Sequence, residues 1–316
     1  MKQKAFTIFK LLRPRQWMKN FAIFASILFT GQLFTGRVFF TVCIGFLIFC
    51  FISSAIYIIN DIFDREKDRM HPFKRFRPLA HGDLSITEAM IVCVSLAVVS
   101  AYLCTLVSLP FIVAVVIYIL LQLSYSLWFK NIEILDILAL AAGYMLRVYA
   151  GELISNFRVS VWLLLTTIAL SLFIAVGKRK SELTLISHIK GTHVEAIRAT
   201  LSHYSEALLT VYLSIFATAT FVFYSLFTSI EVPPHPDFFP GIDIPLPTFL
   251  PLFFQRKWLM VTIIPVVYGL MRYLQDIYEK HEGESPDRVL LSDTPLLTTV
   301  IIWAILAIFI IYFLLE

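Results

Sequence analysis

Residues 38–78 read VFFTVCIGFLIFCFISSAIYIINDIFDREKDRMHPFKRFRP. From Val38 to Asn60 there is no charged side chain; from Asp61 to Arg77 ten charges crowd into seventeen positions. About 20 apolar residues in a row cross the ~30 Å hydrocarbon core of a bilayer. Backbone N–H and C=O groups find no water there, so such a run is helical. The abrupt change at Asp61 marks the place where a membrane-spanning helix reaches a polar face.

Working outward, similar runs occupy residues 19–36, 38–60, 86–107, 110–129, 132–154, 160–177, 203–228, 258–276 and 295–315. The expectation is an all-α, polytopic membrane protein of nine transmembrane helices. Composition agrees: of 316 residues 59% are hydrophobic and 15% charged, with mean hydropathy +0.81, where a soluble domain carries about 25% charge. The whole chain, 1–316, reads as a single integral membrane domain. Its chemistry is expected in cytoplasmic loops at about 61–85, 178–202 and 277–294.

Charge orients the spans. With nine alternating crossings, 20 of the 26 Lys and Arg residues fall on one side, which by the positive-inside rule is the cytoplasm. Only Arg37, Arg158, Arg256 and Lys257 fall opposite, while Arg147 and Arg272 lie within or near spans. The expected location is the cytoplasmic (inner) membrane, multi-pass, with the N-terminus cytoplasmic and the C-terminus outside. Cys43, Cys50, Cys93 and Cys104 sit in apolar runs without CxxC spacing and read as small buried hydrophobes. The Pro-rich, aromatic stretch 229–257 reads as an interfacial or re-entrant lid.

At the end of the second run, Asn60, Asp64 and Asp68 are spaced i, i+4, i+8, with Asp61 on the flank. On a helix they stack along one face. Stacked carboxylates repel unless a cation lies between them, and hard oxygen donors suit Mg²⁺, which typically joins one or two carboxylates to substrate phosphates. A basic block follows: His71, Lys74, Arg75 and Arg77, framed by Pro72 and Pro78. It reads either as topology determinants against anionic headgroups or as a phosphate clamp.

At this motif the chain resembles the UbiA-type intramembrane prenyltransferases, a nine-helix superfamily whose N-D-x-x-D-x-x-x-D motif holds Mg²⁺-diphosphate. Asn60, Asp61, Asp64 and Asp68 match it position for position. Prenyl-transferring members carry a second Asp-rich motif after the sixth helix. Here that stretch reads GKRKSEL (177–183), basic rather than acidic. The chain looks instead like the branch that moves phosphoribose from phosphoribosyl diphosphate to a polyprenyl phosphate. The stretches RPRQWMKN (13–20), YSLWFKN (125–131), DILALAAGYMLRVYAG (136–151) and GESPDRVLLSD (283–293) carry the same likeness.

The resemblance implies a UbiA-like bundle and a Mg²⁺-dependent transfer of 5-phosphoribose to a decaprenyl-type phosphate, with release of diphosphate. Asn60, Asp64 and Asp68 would be the metal-binding residues, supported by Asp61. Substrate phosphates would meet Lys74, Arg75 and Arg77, and near the membrane plane Arg13, Arg15 and Lys19, Tyr125 with Lys130, and Arg147. Asp136 or Glu152 is expected to pair with Arg147, and Lys178, Arg179 and Glu182 to line the same cavity. The lipid phosphate is already ionised, so no strong general base is needed. The implied partners are the sugar diphosphate, the lipid and the membrane; no nucleic acid is expected, and a homo-oligomer is left open. Two other readings compete. A prenyltransferase acting on an aromatic or other small acceptor needs a second acidic cluster, and a transporter needs charges at the midplane of both halves.

Overall fold

A computed structural model of the chain describes residues 2–70, 74–188, 204–231, 257–278 and 286–314. Residues 232–256 of the expected lid 229–257 lie outside the described residues, as do His71, Pro72, Lys190, Arg198, Lys280 and the side chain of Lys74. Among the described residues there is no β-strand, and eight helical segments are long and apolar enough to cross a membrane. They are α1 (Gly36–Phe63), α2 (Ile86–Cys104), α3 (Leu109–Leu127), α4 (Leu135–Ser155), α5 (Val161–His188), α6 (Glu206–Ile230), α7 (Ile263–Tyr278, entered through the 3-10 turn Trp258–Thr262) and α8 (Thr294–Phe313). The protein is a multi-pass membrane protein.

Local chemistry sets the helix ends. Ser85 and Glu88 form a capping box at the start of α2, Ser205 caps α6 and Asp293 caps α8, each satisfying N–H groups that have no partner within the helix. Gly82 at φ 94° closes the short helix Pro78–His81 in the left-handed conformation that glycine adopts freely.

Of the nine expected spans, eight are regular apolar helices among the described residues. The first expected span is a 3-10 helix, Pro14–Phe24, running into a short α-helix, Ala25–Phe29. Eleven residues at a 2.0 Å rise and five at 1.5 Å give roughly 30 Å in all, of which the apolar stretch 21–29 makes about half. The segment is seated on α4. A Cβ on Gly151 would lie 2.1 Å from the Ile23 carbonyl oxygen, so the two backbones touch there. One turn to either side, Arg147 Nε donates to Asn20 Oδ1 at 2.8 Å and the Ser26 and Ser155 hydroxyls pair at 3.0 Å. The contacts repeat every four residues on α4 and every three from Asn20 through Ile23 to Ser26 at the start of the α-helical part, and four residues of α-helix advance about as far, ~6 Å, as three of 3-10 helix. This register holds the segment in the tighter helix.

Two further differences concern helix length. The stretch GKRKSEL, expected in a loop, is helical, because α5 continues to His188. Past Phe63 the i→i−4 pattern also continues, with Asp64 N–H bonded to Asn60 O at 2.9 Å and Asp68 N–H to Asp64 O at 2.8 Å, leading into the helix Arg65–Met70.

Adjacent helices pack in sequence, α1 on α2, α3 on α4, α4 on α5, α5 on α6 and α7 on α8. The bundle closes on itself at Tyr312 of α8. Its hydroxyl accepts Leu33 N–H at 2.8 Å and donates to Ile27 O at 2.9 Å. Phe29 shares a buried cluster with Ile310, Ile311 and Leu314.

Candidate active site

The acidic face of α1 is held by cations. Asp61 and Asp68 are buried, at 3% and 4% exposure. Arg77, from the basic block, bridges them, 3.1 Å from Asp61 Oδ1 and 2.6 Å from Asp68 Oδ2. Arg13 reaches the same Asp61 oxygen and lies over the Tyr57 ring, 5.0 Å from its centroid. Asp64 is half-exposed and faces Lys130 at 3.7 Å. Asn60 is half-buried one turn before it. Arg13 holds φ 53°, ψ 58°, unusual for a residue before proline; the buried carboxylate of Asp61 is what its side chain gains there.

Beside this face lies a small cavity of about 50 Å³, partly open to the outside. It is lined by Lys19, Arg147 and Lys178, with the neutral polar groups of Tyr57, Gln122 and Tyr144 between them. Tyr57 of α1 lines the cavity, and Asn60, Asp64 and Asp68 continue its helical spacing past Phe63 into the helix Arg65–Met70, which sets the acidic face beside the cavity.

Arg147 departs from its expected pairing. It is 4% exposed, and its hydrogen bonds go to Asn20 Oδ1, to Gly143 O and to the Tyr118 hydroxyl, the last at 2.7 Å. None of these carries a charge. Among the described residues neither Arg147 nor Lys178 has a carboxylate partner. Glu152 instead accepts Val159 N–H at 2.7 Å, turning the chain at the far end of α4. A buried cation without an anion is costly in a bilayer interior, which makes Arg147 a candidate functional position.

Asp136 pairs with Arg179, whose Nε stands 2.7 Å away with both side chains at 0% exposure. Alignment is poor, so this is an ion pair rather than a hydrogen bond. Arg179 also pairs with Glu182 and donates to the Tyr125 hydroxyl at 2.9 Å. Arg179, Glu182 and Tyr125 therefore form an interhelical brace, and of the three charges expected from GKRKSEL in the cavity only Lys178 lines it. The physical reason is rotation: successive helical residues point about 100° apart, so Lys178 and Arg179 face different neighbours.

The remaining expected residues disperse. Arg15 is exposed. Arg75 is exposed and lies over the Phe76 ring at 4.8 Å. Gln16 went unread in the sequence; its side-chain oxygen accepts from Lys19 Nζ at 2.7 Å. Gln122 could have been found as a polar residue inside an apolar run. Tyr57 and Tyr144 carry no such signal.

The donor set Asn60, Asp64 and Asp68 fits magnesium in one specific way. Among the described residues no three His, Cys, Asp or Glu side chains converge into a ready metal cage. Magnesium needs only one or two carboxylates when phosphate oxygens and water complete its octahedron. The face suits an ion that arrives with a diphosphate.

Comparison with known proteins converges on one family. The UbiA prenyltransferase family matches residues 20–292. A decaprenyl-phosphate phosphoribosyltransferase of Corynebacterium glutamicum is 33% identical over 96% of this chain and 86% of its own length. The protein of the same name from Mycolicibacterium smegmatis is 31% identical over 94% and 89%. In solved structures, a UbiA homolog from Archaeoglobus fulgidus bound to DMAPP and Mg²⁺ superposes with TM-score 0.66 at 18% identity, covering 96% of this chain and 98% of that one; the likeness is of fold.

Proposed function

Since the chain belongs to the UbiA prenyltransferase family, we propose that it transfers 5-phosphoribose from phosphoribosyl diphosphate to a polyprenyl phosphate of decaprenyl type, releasing diphosphate. The observation that carries this reading is the cavity, where Lys19, Arg147 and Lys178 converge beside an acidic face. Such a site takes a phosphate monoester next to a diphosphate. Both substrates carry a monoester, the sugar at C5 and the lipid at its head. The relatives' names support the same choice. Prenyl transfer to a small acceptor fits less well, because Glu182, the acid of GKRKSEL, is engaged with Arg179.

Asn60, Asp64 and Asp68 are the groups that would hold Mg²⁺ with the diphosphate. Magnesium there supplies neutralisation of the charge that develops on the leaving group. Arg13 and Arg77, fixed by Asp61, present guanidinium groups at the mouth. A lipid phosphate oxygen attacks C1 as the C1–O bond to diphosphate breaks, through an oxocarbenium-like state, and the diphosphate leaves with the bonding pair. Because the nucleophile is already an anion, the residues orient rather than deprotonate it. We place the acidic face on the cytoplasmic side of the inner membrane, with the C-terminus outside, since the basic residues gather on that face.

Purified protein in liposomes, given labelled phosphoribosyl diphosphate, polyprenyl phosphate and Mg²⁺, is expected to form a labelled lipid. Asp64→Asn and Asp68→Asn are each expected to lose about a hundredfold or more in kcat, the scale of losing one charge-stabilising group; the melting temperature stays unchanged for half-exposed Asp64→Asn and falls for Asp68→Asn, whose buried carboxylate pairs with Arg77. Transfer from a prenyl diphosphate, without any lipid-linked phosphoribose, would overturn the assignment.

A further inference from the structure

The turn between α3 and α4 is strained. Ile134 sits at φ 61°, ψ −44°, where a β-branched residue is a genuine outlier. Leu135 N–H donates to Glu133 O at 2.6 Å, which makes a three-residue turn with positive φ at its centre, the rare and strained form. Conformations of this kind persist only when the surroundings over-determine them.

What over-determines this one is Tyr204, seventy positions along the chain. Its hydroxyl oxygen accepts Ile134 N–H at 2.6 Å, and its O–H donates to Asp136 Oδ1 at 2.9 Å. Asp136 is in turn fixed by buried Arg179. Burial pushes the Tyr204 phenol well above its ordinary range, so the proton stays in place to be donated. The strained residue is tied to the site. Asn131 N–H bonds to Trp128 O at 3.0 Å, Ile132 N–H to Phe129 O at 3.1 Å and Asp136 N–H to Ile132 O at 3.1 Å, so residues 128–136 form one hydrogen-bonded unit. That unit carries Lys130, whose ammonium faces Asp64.

We propose that Tyr204 is a positioning residue: its hydroxyl locks the Ile134 turn and so sets where Lys130 stands against Asp64 and a bound diphosphate. This rests on the transfer reading above. An unlocked turn relaxes toward negative φ at Ile134 and carries Lys130 away from α1. The buried brace of Arg179, Asp136 and Tyr204 then has a use beyond joining helices, since it transmits the position of α5 to the mouth of the cavity.

The test is a set of variants read in kcat. Tyr204→Phe, which keeps the ring and removes the hydroxyl, is expected to lose roughly ten- to a hundredfold, the scale of a displacement near an ångström. Lys130→Ala loses activity too, and Tyr204→Phe adds little in that background, because both act through one group. Adding Ile134→Gly to Tyr204→Phe restores most of the loss, since glycine holds positive φ without a lock. A purely structural tyrosine would show the opposite: losses that multiply with Lys130→Ala, and no rescue by glycine. Either result overturns the proposal. If Tyr204→Phe does not fold alone, the Tyr204→Phe/Ile134→Gly protein is expected to fold and turn over, and its inactivity in a folded state overturns the proposal as well. Calorimetry with magnesium pyrophosphate separates the layers. A wild-type protein that fails to bind it overturns the transfer reading and the lock together. A wild type that binds, alongside a Tyr204→Phe protein equal to it in binding and turnover, overturns the lock alone.

Discussion

At the scale of single residues, the two buried arginines show how one side chain takes two meanings. Arg179 is fully matched by acids, and Arg147 by neutral groups alone. Removing one member of a buried ion pair leaves an uncompensated charge, which costs about 3–5 kcal/mol. Asp136→Ala is therefore expected to lower stability by about that amount, seen as a large fall in melting temperature in detergent. Arg147→Met removes a charge that no carboxylate among the described residues neutralises. It is expected to leave the melting temperature level or raise it, while weakening phosphate-ligand affinity about tenfold or more; a melting temperature that falls as far as that of Asp136→Ala would contradict this. The sequence made Arg147 visible as a charge inside an apolar run, but not its partners, since Asp136 and Glu152 lie within three turns of it on α4 and both turn to other neighbours.

At the scale of elements, the 3-10 segment is the part that sequence reading could not reach. The apolar residues from Phe21 onward made a span legible; its winding was not, because the winding is decided by Gly151 and the spacing of contacts on α4. Arg13 went to Asp61 rather than toward the lipid phosphate for a related reason: the turn that redirects it is set by Pro14 and a carboxylate far along the chain. The helicity of GKRKSEL was hidden by its charges, which suggested a loop outside the bundle; Arg179 is tolerated inside it because Asp136 and Glu182 stand beside it. Gly151→Ala is expected to push the segment off α4, costing about 1–3 kcal/mol as overpacking does, and to reduce activity by shifting Lys19. Gly36→Ala, with nothing within 4 Å of the added carbon, is the control and is expected to stay within about 0.5 kcal/mol of wild type. Thermal unfolding of the two variants checks both.

At the scale of the whole molecule, the acidic face is a receiving surface rather than a folding device. Its carboxylates are already matched by Arg13, Arg77 and Lys130. Chelation by EDTA is accordingly expected to abolish transfer while leaving the melting temperature unchanged within about a degree; a large fall on chelation would mean that the ion also supports the fold. The long apolar runs, the polar face and the acid motif were legible from the amino acids alone. The cavity was not, because its walls come from the N-terminal segment, α1, α3, α4 and α5, and their meeting is a property of packing.

The closure at Tyr312 adds a matter of timing. Its partner Ile27 lies 285 residues earlier, and at ribosomal speeds of about 5–20 residues per second the two are made roughly 15–60 s apart. For that interval the nascent chain holds its first helices against an open seam, with α8 not yet translated. This end of the bundle is sealed only after α8 has been made.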